Sequence, residues 1–157
     1  MNITTLITNI RNAVHDNSAL SAWCTTNYGR AHKVYIGVDT RKPPDNSAYP
    51  LVHVFPMTKS AGGGNQDLIV GLTCGIYDAD TRTVTGYTRV VEFEGVQNIE
   101  AFRKLVETAA LTAVLDNGYW FADLDIVYET VEFFPFFLAG MQLTVRGDIA
   151  FPSDQFA

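Results

Sequence analysis

Asp123, Asp125, Glu129 and Glu132 are the residues whose type and spacing come nearest to chemistry. Separations of two and four residues among them put some on one face of a strand. Two carboxylates sharing a pocket are the equipment of general acid–base hydrolysis, glycoside cleavage included. Such pairs usually come from different elements and sit among polar groups. These four instead follow one another along a single stretch crowded with aromatics, where eight of the chain's 19 aromatic residues fall between Tyr119 and Phe137. The simpler reading is a solvated acidic face.

Other chemistries find less support. His15, His32 and His53 fall in a helix end, a loop and a strand, with neither HxxxH nor HExxH spacing for a metal. Cys24 and Cys74 form no CxxC pair, and Cys74 lies in an apolar run that reads as a buried, inert thiol. The serines lack a GxSxG context. Gly62-Gly63-Gly64 has no following Lys-Ser/Thr and precedes a strand rather than a helix, so residues 57–66 read as a flexible loop and not a phosphate cradle. Asp78 and Asp80 lack the glycine and terminal glutamate of a calcium loop and read as a turn. No cofactor or metal is expected.

Charge narrows the choice further. Residues 105–145 contain six acids and no Lys, Arg or His, while the net charge of the 157-residue chain is −6, so the remainder is neutral on balance. That balance argues against adhesive or sequence-specific nucleic-acid binding, which needs cations for the phosphates. A charged fraction of 18% beside 47% hydrophobic residues suits a subunit that buries surface against partners. The N-terminal residues lack the features of a signal peptide, and no apolar run reaches the 18 or so residues of a membrane span. A soluble protein assembled inside the cell is expected.

The elements that would position these residues form one domain over 1–157. Ile3, Leu6, Ile7, Ile10, Ala13 and Val14 recur at helical spacing within a helical segment 2–27. It is interrupted at His15–Ser18, where Ser18 is the expected cap of a short second turn. Strands follow over 33–93: Lys33–Asp39, Leu51–Phe55 closed by Pro56, Asp67–Asp78, and Val84–Phe93 as the antiparallel partner of the preceding strand. Residues 40–48 read as a loop. A helix over 98–117, capped by Asn98 and stopped at Asn117-Gly118, carries the clearest apolar stripe. The pair 124–133 and 141–149 closes the chain, with 134–140 between them, giving a strand pair over 124–149. The fold class is α+β, a mostly antiparallel sheet with helices packed on one face.

The order of elements, the unit Asn46-Ser47-Ala48-Tyr49-Pro50-Leu51-Val52-His53-Val54-Phe55 and the segments Val127-Tyr128-Glu129, Phe134-Pro135-Phe136-Phe137 and Met141-Gln142-Leu143-Thr144-Val145 resemble a tail terminator protein of long-tailed bacteriophages. The resemblance implies a structural virion protein, not an enzyme and without a cofactor, assembled in the host cytoplasm as a homo-hexameric ring. The ring would cap the tail tube protein and present a surface to the head–neck connector protein. A related neck or tail-completion subunit shares the same size and style.

Under that implication Phe133, Phe134, Phe136 and Phe137 are candidate interface residues, with Arg41, Lys42 and Lys59 in loops that could order on a partner. Asp123, Asp125, Glu129 and Glu132 become a face that repels DNA crossing a lumen. The alternative is a small carbohydrate- or ligand-binding α+β domain, which predicts a concave pocket lined by Tyr119, Trp120, Asp123 and Asp125.

Overall fold

Two long alternating segments set the centre of the computed structural model, which describes residues 1–39, 41–80, 93–127 and 134–148. β3 (Asn65–Tyr77) and β5 (Phe136–Asp148) are paired antiparallel along their whole lengths. One face of this pair presents Leu68, Val70, Leu72, Cys74 and Ile76 beside Phe137, Ala139, Met141, Leu143 and Val145, all buried. β2 (Leu51–Gly62) lies antiparallel on the other edge of β3, and β4 (Tyr119–Val127) lies antiparallel outside β5. β1 (Lys33–Ile36) runs parallel to β2 and completes the order β1-β2-β3-β5-β4.

Three helices cover the apolar face. α1 (Ile3–His15) buries Leu6, Ile7, Ile10 and Val14, the stripe expected from their spacing. α2 (Ser18–Tyr28) adds Leu20 and Cys24, and α3 (Glu94–Ala110) adds Ile99, Phe102, Val106, Ala109 and Ala110. These side chains join the inward strand residues in one core cluster. The sheet is mixed but mostly antiparallel, and the fold is α+β.

Several boundaries differ from the sequence reading, each for a local reason. The N-terminal segment is two helices, and the cap of the second is Asn17, whose Oδ1 accepts the Leu20 N–H at 2.9 Å, with Ser18 as the first helical residue. α2 stops at Gly29, in the left-handed region at φ 69°. α3 begins at Glu94, where an acid in the first turn suits the helix dipole, and it ends at Ala110. Asn98 therefore lies inside the helix and donates its side-chain N–H to Asp78 Oδ2 at 3.0 Å.

β2 runs past Pro56 to Gly62 because a bulge between Pro56 and Thr58 absorbs the irregularity. Proline is tolerated there because β1 pairs only with Leu51–Val54, which leaves the rest of β2 as an edge strand. Residues 57–66 are thus a hairpin, not a flexible loop. Gly62 pairs with Asn65 across Gly63 (φ 60°) and Gly64 (φ 87°), the positive φ values a tight two-residue turn requires.

β4 starts at Tyr119, directly after the Gly118 turn, and β5 starts at Phe136, so most of the expected connection 134–140 is strand. The strand expected over 84–93 lies outside the described residues except for Phe93, which caps α3. Among the described residues, β2 and β5 occupy the two edges of β3.

Four glycines lie against aromatic rings. A Cβ on Gly71 would overlap Phe55, one on Gly75 would meet Tyr49, one on Gly95 would overlap Phe137, and one on Gly147 would overlap Tyr119. Three of them are strand positions where an aromatic from a neighbouring segment lies flat against the backbone.

Candidate functional site

Among the described residues, no helix lies over the face of the sheet turned away from α1, α2 and α3, and register assigns its residues. On β4, Trp120 pairs with Arg146, Asp123 with Thr144, Asp125 with Gln142 and Val127 with Gly140, all outward positions of β5. A bulge between Phe121 and Asp123 keeps this alternation in step. Tyr119, Phe121, Leu124 and Ile126 fall on the helix-covered side, and the first three of these pack against the core. Asp123 and Asp125 therefore share the open face, both exposed to solvent. Glu129 and Glu132, the other two acids of the expected face, lie outside the described residues.

The pocket expected from Tyr119, Trp120, Asp123 and Asp125 is not formed, since Tyr119 points to the opposite side of the strand from the other three. The reason is the period of two along a strand, which separates neighbours in sequence. Asp123 and Asp125 stand on a solvated surface and not in a pocket.

The aromatic run divides among three environments. Phe137 is 1% exposed and belongs to the core, so it offers no surface to a neighbour. Phe136 is on the open face, with ring centroids 5.0 Å from Tyr49 and 5.2 Å from Tyr77. Phe134 is half-exposed and packs against Phe93 and edge-on to Phe137. Phe133 lies outside the described residues. Lys59 is exposed on the unpaired edge of β2, and Arg41 and Lys42 are exposed in the loop after β1, where Arg41 is held by Asp39 at 3.0 Å.

The remaining candidates do not converge. Burial pushes the thiols of Cys24 and Cys74 up to about 12, which leaves both as neutral, unreactive groups. Asp78 Oδ1 accepts the Asp80 N–H at 2.9 Å, the geometry of an acid closing its own turn. Among the described residues no group of three or more His, Cys, Asp or Glu could hold a metal ion, and no helix is long and apolar enough to cross a membrane.

No family model and no curated protein matches this chain. Its own surface must carry the functional reading.

One feature that sequence reasoning missed is an ion pair on the open face. Arg146 Nε and Nη2 donate to both oxygens of Asp67, at 2.7 and 2.8 Å, joining the outward sides of β3 and β5. The pair holds the Asp67 carboxyl below the usual carboxylate range. The two residues are 79 apart in sequence, so only the strand register brings them together.

His32 and His53 supply a pH dependence. His32 is buried with Nε2 2.9 Å from the Val14 carbonyl, which fixes the tautomer that donates from Nε2, while its Nδ1 has no partner. His53 stacks on Phe55 at 4.9 Å with Nε2 buried and unpartnered. Burial lowers the pKa of both below the ordinary value of 6.5. The unfolded chain therefore binds more protons below about pH 6.5, and stability falls as pH drops through that value. Thermal melts from pH 7.5 to 5.5 should show Tm declining, with a shallower decline in His53→Phe, which keeps the stack and removes the titrating group. Identical slopes in the two proteins would contradict this.

Proposed function

We propose that this chain is a ring-forming structural subunit of a long-tailed bacteriophage, one that caps the tail tube and joins it to the head–neck connector. The observation that carries the reading is a sheet that, among the described residues, helices cover on one side only, with large apolar side chains left exposed on its outer strands and helices. Trp120, Val127, Ile36 and Met57 are exposed on strands, and Val96, Leu111 and Val114 on and just after α3. Apolar exposure spread over several surfaces suits a subunit that has different neighbours on different sides. The resemblance in sequence order supplies the identity of those neighbours, namely copies of itself, the tube protein and the connector. Asp123 and Asp125 add two exposed acids to the open face, where the neighbouring Arg146 is paired with Asp67, and a DNA-conducting ring can present such acids to its lumen. On this reading the protein acts by assembly and not by catalysis.

The test is the mass of the particle by light scattering, for the protein alone and after mixing with purified tail tubes. The expected result is a ring-sized species, free in solution or seated at the tube end, and loss of further tube growth. A chain that never associates with tubes rules the proposal out.

A further inference from the structure

The two outermost strands of the sheet carry opposite charge. β1 and the loop that follows it hold Lys33, Arg41 and Lys42 against two acids, Asp39 and Asp45, and Arg30 lies just before the strand. Lys33 and Lys42 help line a hollow of about 460 Å³ between β1 and that loop. At the far end, β4 holds Asp123 and Asp125 and no cation, Asp116 before it is paired with the N-terminal ammonium at 3.3 Å, and the neighbouring Arg146 is engaged by Asp67. The register places Lys33 opposite Leu51, an outward position of β2, so Lys33 is on the same open face as Asp123 and Asp125. Trp120 at 43% and Val127 at 54% are exposed on the open face of β4, and Ile36 at 48% is exposed at the end of β1, on the opposite side of that strand from Lys33. Among the described residues, each of these strands has a single sheet neighbour.

From this we infer that the β1 end of one molecule docks on the β4 end of a second copy, head to tail, with Lys33 and Lys42 of one facing Asp123 and Asp125 of the other. The occupant is fixed by charge complementarity between the two ends of the same sheet. Two different surfaces meeting in this way form a heterologous contact, which repeats around a ring or along a filament. Apolar contacts at the centre with opposite charges around them match the anatomy of a specific interface. The shortness of β1 and the bulge in β4 weigh against a long continuous hydrogen-bonded ladder, so the contact is one of side chains. The inference rests on the assembly reading for taking the partner to be a second copy, and adds which surfaces meet.

Charge reversal tests it. Two variants of the full chain are made, Lys33→Glu with Lys42→Glu, and Asp123→Lys with Asp125→Lys. All four positions are exposed, and each variant is first checked for an unchanged Tm. Sedimentation of the wild type at low ionic strength should show mass rising with protein concentration, and about 0.5 M salt should suppress it. Each variant alone should associate roughly tenfold more weakly or less. Mixing the two should restore association, because every β1 end then finds a β4 end of opposite sign. Variants that associate like the wild type overturn the inference while leaving the ring proposal standing. A wild type that stays monomeric at every concentration also overturns it, and tube binding then decides the ring proposal separately.

Discussion

Replacing Arg103 with alanine is expected to lower stability by about 3 kcal/mol and Tm by roughly 6–12 °C in a domain of this size. The side chain is 2% exposed, on the face of α3 turned to the sheet. Its Nε and Nη2 donate to the two oxygens of Glu100 at 2.8 and 2.9 Å, and Nη1 donates to Glu107. Nη1 also lies 3.9 Å from Met141 Sδ, which places the guanidinium directly against β5. One planar cation thus serves two carboxylates on its own helix, three residues before it and four after, a geometry a lysine cannot reproduce. Alanine removes the buried stem as well as the charge, leaving a cavity beside Met141 and taking the guanidinium from both glutamates, although Glu100 keeps Lys104 at 3.5 Å.

Both glutamates keep contact with water, which limits the loss to the lower end of the range for broken buried pairs. Arg103→Met, which fills the space and leaves Lys104 beside Glu100, should lose about half as much. The Arg103 hydrogen bonds hold the Glu100 carboxyl below its ordinary pKa. Its contribution is therefore complete above the unfolded-state value and disappears as pH falls through the depressed one. The gap between wild type and Arg103→Ala should accordingly narrow in acid. Equilibrium urea unfolding at pH 7 and at about pH 3.5 measures both effects, and an alanine variant within 0.5 kcal/mol of wild type at pH 7 would refute the assignment.

Gly95→Ala should also destabilise, by about 2 kcal/mol, although alanine in place of a helical glycine ordinarily stabilises by up to about 1 kcal/mol. Gly95 is the second residue of α3, and the missing Cβ is what lets the helix start lie against the Phe137 ring. That ring is buried in the core and packed edge-on by Phe134, so it has no free space to move into. The double variant Gly95→Ala with Phe137→Leu should recover part of the loss, since leucine leaves room for the added methyl. A double-mutant cycle with coupling near zero would show that the contact carries no energy.

The sequence disclosed the fold wherever burial follows a regular period. Residues 68–76 and 141–145 alternate cleanly, and the α1 stripe recurs at helical spacing, so the core strands and the first helix could be read directly. It misled where a local signal was overruled by an edge. Pro56 looks like a strand end and is not one, because it lies on an unpaired edge; the glycine run looks like a loop and is a tight turn between long strands. Arg103 was hidden for another reason. It is four residues after Ile99 and three before Val106, within the apolar stripe, yet a cation there reads as surface unless its glutamate partners are already known to be in place. The candidate site was legible only in part. The acidity of 105–145 is plain from composition, but that Asp123 and Asp125 share a face with Lys33 at the opposite end of the sheet depends on strand order, which no local pattern encodes.

The aromatic rings that lie on Gly71, Gly75, Gly95 and Gly147 have a consequence for how this sequence can diverge. Each ring and its glycine fill one volume between them, so neither position is free to change alone. Across relatives, positions 55 and 71, 49 and 75, 137 and 95, and 119 and 147 should vary as large-and-small pairs, with any gain of a side chain on the glycine matched by a smaller partner. Such paired variation would let even a distant relative be placed on this fold without a continuous match along the chain.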